Sequence, residues 1–127
     1  MRFAAHGNVT PETIAALKAA GHHVHALSEL TSDEISDPAA LAPVDLLAAL
    51  VRKQWQLITT DGALVHTIFE NKLEFPRGLI VHIQTEDPAD HPAAIARLFE
   101  RYSRLTPKRM YILTASRVKI RQLPGLD

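Results

Sequence analysis

The sequence predicts an α/β fold: a mostly parallel sheet with helices on both faces. Three observations predict it. Short apolar runs alternate with longer segments of helical spacing, the order that yields βαβ units. Capping and turn residues mark most of the boundaries between them. The chain is 46% hydrophobic and 22% charged, enough apolar content to build a core and too much for disorder.

The elements follow in order. Residues 2–5 form a short apolar strand that His6-Gly7-Asn8 breaks off. Thr10 suits an N-cap, Pro11 the first helical position, and Glu12 the positive end of the helix dipole. Ile14 and Leu17 continue that helix until Gly21 closes it. Residues 23–27 alternate as a second strand, with Val24 and Ala26 on one face. Residues 28–44 read as loop, punctuated by Pro38 and Pro43, with a short turn around 33–35. Asp45 caps or enters a helix running through Leu46, Leu47, Leu50 and Val51 to Gln54. Residues 55–59 are a strand, Thr60-Asp61-Gly62 a turn, and 63–71 a helix burying Leu64, Val65 and Ile68. Residues 78–83 give another strand. Residues 88–104 give the longest helix, with Ile95, Leu98, Phe99 and Tyr102 on one face. Residues 110–114 and 117–123 then pair as closing strands turned at Ala115-Ser116.

Composition narrows the function classes. A chain of 127 residues without repeat or linker predicts one domain over 1–127. It has no cysteine, which excludes disulfides, thiolate metal sites and a cysteine nucleophile. The first residues lack the apolar run of a signal peptide, and no stretch is long enough for a membrane span, so a cytoplasmic protein without a membrane partner is expected. The formal net charge of zero hides an asymmetry. Residues 1–96 carry 6 Lys/Arg against 12 Asp/Glu, whereas 97–127 carry 8 against 2. Such a basic third, which includes Arg101, Arg104, Lys108 and Arg109, is either a phosphate-binding footprint or a solvated face balancing the acidic remainder.

Functional residues of an open α/β sheet gather beyond the carboxyl ends of its strands. That rule selects His6-Gly7-Asn8 and Thr59-Thr60-Asp61-Gly62, with Asp45 opening the helix before the second turn. Two carboxylates and an imidazole around one cleft are a donor set for a divalent cation. Each has a plainer reading: Asp45 as a helix cap, Asp61-Gly62 as a turn pair, His6 as a polar strand end. His23 and His25 share a strand face that alternation with Val24 assigns to solvent. His66, His82 and His91 stand alone, and no phosphate-binding glycine loop, nucleophile elbow or zincin motif occurs.

At this point the chain resembles a family. Its opening Met1-Arg2-Phe3-Ala4-Ala5-His6-Gly7-Asn8 is similar to the M-K-F-L-x-D-E-N start of short prokaryotic PIN-like proteins. Ala19-Ala20-Gly21-His22-His23-Val24 resembles their A-x-G-H-D-V segment, and Asp45 with Leu46, Leu47 and Ala48 their D-x-x-I-x-x-x-A helix. Leu57-Ile58-Thr59-Thr60-Asp61 resembles the L-x-T-x-D-x-D-F turn, Gly78-Leu79-Ile80-Val81 the next strand, and the ending from Ser116 to Arg121 the R-x-R-x-R finish. The matches are ordered along nearly the whole chain. The resemblance implies a PIN-like three-layer sandwich and hydrolysis of RNA by Mg²⁺ or Mn²⁺ held among carboxylates. It also implies the setting of a toxin paired with a small antitoxin-like protein. Carried over by position, the catalytic residues are Asp45, Asp61 and Asn8, and the metal ligands are Asp45, Asp61 and His6. RNA contacts then fall to Arg101, Arg104, Lys108 and Arg109, and a homodimer is one assembly this reading admits.

The departures weigh as much as the matches. His6 and Gly7 stand where the family has aspartate and glutamate, and Ala63 where it has the second aspartate of the turn. Fewer carboxylates weaken the hold on Mg²⁺, and an imidazole shifts preference toward Mn²⁺ or a softer ion. Two functions follow with equal weight: a weakened metal-dependent ribonuclease, and a relative that binds RNA or a protein without cutting. An oligomeric α/β protein of unrelated purpose is the third, because fold does not fix function.

Overall fold

The computed structural model describes residues 1–32 and 35–125; most of the turn expected at 33–35 lies outside them. Six strands form one sheet: β1 (Arg2–His6), β2 (His23–Ala26), β3 (Gln56–Thr59), β4 (Ile80–Ile83), β5 (Arg109–Leu113) and β6 (Val118–Gln122). Their order is β2-β1-β3-β4-β5-β6. The first five run parallel and β6 closes antiparallel against β5, as the βαβ pattern and the closing hairpin require.

Four helices cover it: α1 (Pro11–Ala19), α2 (Pro43–Lys53), α3 (Gly62–Glu70) and α4 (His91–Arg101). The layers follow from alternation along the strands. Ala4, Leu57, Ile80 and Met110 point to one side, where they bury Leu46, Leu47 and Leu50 of α2 and Leu64, Val65 and Ile68 of α3. Phe3, Ile58, Val81, Tyr111 and Leu113 point to the other side, onto Leu17 of α1 and Ala94, Ile95 and Leu98 of α4. Each fully buried aliphatic side chain contributes about 1.5–3 kcal/mol of transfer free energy, so the sheet is held from both faces. Among the described residues no helix is long and apolar enough to cross a membrane.

Several boundaries move from their expected places for local reasons. Thr10 caps α1 by accepting from the Thr13 N–H. Gly21, at φ +93°, turns the chain out while its N–H bonds the Lys18 carbonyl (2.9 Å). α2 begins at Pro43 with Ala42 at the cap, so Asp45 lies in the first turn and does not cap it; proline at the first position sets the start. Trp55 precedes β3 but is buried. The segment from 88 divides into a 3₁₀ turn (Pro88–Asp90), capped by Asp87, and α4, which stops at Arg101; α2 and α4 are equal at 11 residues.

The topology fixes where a ligand could bind. The chain leaves β1 through α1 on one face and leaves β3 through α3 on the other. The carboxyl ends of β1 and β3 therefore flank the point where the strand order reverses, the place at which open α/β sheets hold their binding crevice. The steps from β3 to β4 and from β4 to β5 run in the same direction, yet α3 and α4 lie on opposite faces. The crossover through α4 thus has the opposite hand to the other three, against the strong general preference for one hand. It opens a second divergence beside β4.

Candidate functional site

Register builds the site. His6 pairs with Thr59 across β1 and β3, and Thr59 with His82 across β3 and β4. The three side chains form one row at the carboxyl edge, on the face that carries α2 and α3. His6 and His82 are two strand spacings apart, about 10 Å between backbones.

Thr59 is fully buried and organises the row. Its Oγ1 accepts the Asp61 N–H (3.0 Å) and lies 2.8 Å from His6 Nδ1. Thr59 Oγ1 thus bridges the Asp61 backbone and the His6 ring, and the direction of the bond to His6 follows the tautomer of that ring. Burial pushes the His6 pKa down, and the charge of Asp61 offsets part of the shift. His82 behaves alike, its pKa lowered by burial and partly restored by Asp61. Its Nδ1 lies 3.4 Å from the Gln84 side-chain amide. One carboxylate therefore acts on two imidazoles.

Asp61 is also the N-cap of α3. Its Oδ1 accepts from the Ala63 and Leu64 N–H groups at 2.9 and 3.3 Å, which commits one of its two oxygens. The neighbouring Thr60 holds the first turn to the second, its Oγ1 accepting the Asn8 N–H at 2.7 Å. Gly7 lies at φ +79° in that turn, and a Cβ there would meet Thr60 Oγ1 at 2.6 Å. Asn8 contributes its backbone to the contact and leaves its side chain exposed.

The structure brings His6, Asn8 and Asp61 to one edge. α2 runs back along the sheet, so Asp45 in its first turn lies at that same end, exposed and without a hydrogen bond or ion pair among the described residues. Arg101, Arg104, Lys108 and Arg109 lie at the opposite end. α4 finishes at Arg101, and β5 begins at Arg109 beside the amino ends of the other parallel strands. The basic groups nearer the carboxyl end are Arg97, which donates to the Thr114 carbonyl (3.3 Å), and Arg117, both beside β5 and β6. The described residues contain no group of three His, Asp or Glu arranged to hold a metal ion. Mg²⁺ favours several oxygen donors, whereas the carboxylates at this end are Asp61, with one oxygen given to the α3 cap, and the exposed Asp45.

One member of the row, His82, escapes a reading of the sequence, where it looks isolated; Thr59 belongs to the selected turn, but its pairing with both histidines is not legible there. Position at the carboxyl end of a parallel strand marks both, but only register makes them neighbours. Two other histidines differ from expectation. His25 is half-buried and stacks on Trp55 at 4.0 Å with rings 5° from parallel, while His23 is exposed as expected. His91 is buried at the start of α4, with Nε2 3.4 Å from the Thr85 carbonyl.

A search of protein-family models and of curated proteins finds no match to this chain.

Proposed function

We propose that the chain is a divergent PIN-like domain, related by fold to metal-dependent ribonucleases, that binds RNA without Mg²⁺-dependent cleavage. The observation that carries this reading is the composition of the crevice. Where a carboxylate cluster would gather a hard ion, one aspartate stands beside a His6–Thr59–His82 row, and that aspartate caps α3. The strand order and the two helical layers are compatible with the family's three-layer sandwich. RNA contact is supported by the charge of residues 97–127, and phosphate binding needs no hydrolysis. Arg101, Arg104, Lys108 and Arg109 surround the amino end, so the proposed contact is separate from the crevice.

The test is a paired assay on mixed RNA oligonucleotides. In Mg²⁺ the native protein is expected to leave them uncut. It should bind them with an affinity that falls steeply with salt and drops at least tenfold when Arg101, Arg104 and Arg109 all become alanine. Efficient cleavage in Mg²⁺ that Asp61→Asn abolishes would overturn the reading and restore the enzyme. Affinity insensitive both to salt and to the triple change would remove RNA. A parallel arm in Mn²⁺ separates ion preference from loss of the centre: cleavage there but not in Mg²⁺, abolished by Asp61→Asn, would point to a weakened nuclease instead.

A further inference from the structure

β6 is an open edge whose hydrogen-bonding pattern can be read residue by residue. The Leu123 N–H donates to the Lys108 carbonyl (2.9 Å), and the Thr114 N–H donates to the Arg117 carbonyl (3.0 Å). With the β5–β6 register, these two bonds fix the alternation of the antiparallel ladder. Lys119 and Arg121 turn their backbone groups inward to Ile112 and Met110. Val118, Ile120 and Gln122 turn theirs outward, which leaves three N–H and three C=O groups in a row at the sheet edge. Ile120 is one of three exposed large hydrophobic residues among those described, at 39% exposure. The opposite edge is less open, because the Glu29 carboxylate takes the Ala26 N–H of β2 at 2.8 Å.

Charge identifies what fits this edge. Between Arg117 and Gln122 the chain carries Arg117, Lys119 and Arg121 and no acid. Arg121 lies over the Phe69 ring (3.7 Å), beside α3, and Lys119 projects to the same face. The acids that share clefts with this segment are Glu70 beside Arg121, paired with His66 at 2.7 Å, Glu100 of α4 beside Arg117, and Glu74 beside Gln122. An antiparallel copy of β6 centred on Ile120 would set Lys119 against Arg121, and a shift by one pair of open residues sets Lys119 or Arg121 against itself. Like charges directly opposite are destabilising, so a second copy is disfavoured. An extended acidic segment meets no such repulsion.

We propose that β6 is a docking edge for an acidic, extended segment of a partner protein, added as a seventh strand. Its alternating side chains would set carboxylates beside Lys119 and Arg121 and apolar groups beside Ile120. The open backbone row favours a peptide over RNA, which has no ladder to complete.

The experiment uses the full chain and a labelled eight-residue peptide alternating glutamate and valine, read by fluorescence anisotropy. Its comparisons are a lysine–valine peptide, the glutamate–valine peptide N-methylated at alternate residues, and an RNA oligonucleotide. The acidic peptide should bind, and the lysine and N-methylated peptides should bind at least tenfold more weakly. Ile120→Pro removes an outward N–H and none from the β5–β6 ladder, so it should weaken binding at least tenfold. The double change Lys119→Glu and Arg121→Glu should do the same. If Ile120→Pro disturbs the fold by circular dichroism, the N-methylated peptide carries that arm. Three outcomes would overturn the proposal: no binding of the acidic peptide at millimolar concentration, equal binding of the N-methylated or lysine peptide, or a native dimer in sedimentation that Ile120→Pro dissolves. RNA binding that the charge reversal abolishes and Ile120→Pro leaves intact, with the peptide unbound, would assign the edge to nucleic acid instead.

Discussion

At the scale of the residue, Thr59 is the pivot of the crevice. Its hydroxyl satisfies the Asp61 N–H and holds His6 Nδ1 from a position closed to water. Thr59→Val keeps the shape and removes both bonds, so urea denaturation should report a loss of about 1–3 kcal/mol. The histidines themselves set a pH dependence. His6, His22 and His82 all titrate below their ordinary value of 6.5, with burial the main cause in each. In the unfolded chain they gain protons sooner than in the folded one. Their contribution is therefore complete above about pH 6.5 and is lost as pH falls through the lower folded values. Unfolding free energy measured from pH 8 to 5 should fall on the acid side, and His82→Gln should flatten that fall. The sequence makes His6 and Asp61 legible, because each ends an apolar run or opens a turn. It hides His82, and the pairing of Thr59 with both histidines, because partnership across a sheet depends on register, and register is not written in any single strand.

At the scale of the element, Asp61 does two things that substitutions can separate. As cap of α3 it holds two N–H groups, and as a charge it supports protonation of both imidazoles. Asp61→Ala should cost about 1 kcal/mol of stability. Asp61→Asn, an equally good cap, should leave stability nearly unchanged while lowering the pKa of His6 and His82 in an NMR titration. If Asp61→Asn moves neither imidazole, the carboxylate is a cap alone. β6 offers a second check. Amide hydrogen exchange should alternate along it, with Lys119 and Arg121 protected and Val118, Ile120 and Gln122 fast. The helix start was legible at Thr10-Pro11, whereas Asp37-Pro38 starts a 3₁₀ turn inside the expected loop and Asp87-Pro88 starts one ahead of α4. Asp45 enters α2 in its first turn and does not cap it, because Pro43 starts the helix two residues earlier.

At the scale of the whole molecule, alternation of apolar strand and amphipathic helix was enough to give a mostly parallel sheet covered on both faces. The face chosen by α4 was not legible. A right-handed crossover is the general rule, and the exception arises because His91, Ala94, Ile95 and Leu98 bury against the side that α1 already covers. Charge asymmetry along the chain was equally plain in the sequence, but its division between the two ends of the sheet was not. That division makes the proposed RNA contact and the crevice separable. Thr59→Val and Asp61→Asn should each leave RNA affinity within about twofold of the native protein, measured at low salt where phosphate contacts dominate.

Gly7 extends this to the paths open to the sequence. Acids placed where PIN-like proteins carry them would stand at positions 6 and 7. The first is one substitution away, His6→Asp, on an ordinary strand residue. The second is blocked twice, by a backbone at φ +79° and by the Thr60 hydroxyl that fills the space of a Cβ. Gly7→Glu becomes tolerable only after the turn is rebuilt, and Thr60, which ties that turn to Asn8, would have to change first. Gly7→Glu without a change at Thr60 should therefore lower stability in urea denaturation. The turn thus admits a carboxylate more readily at position 6 or 63 than at the glycine.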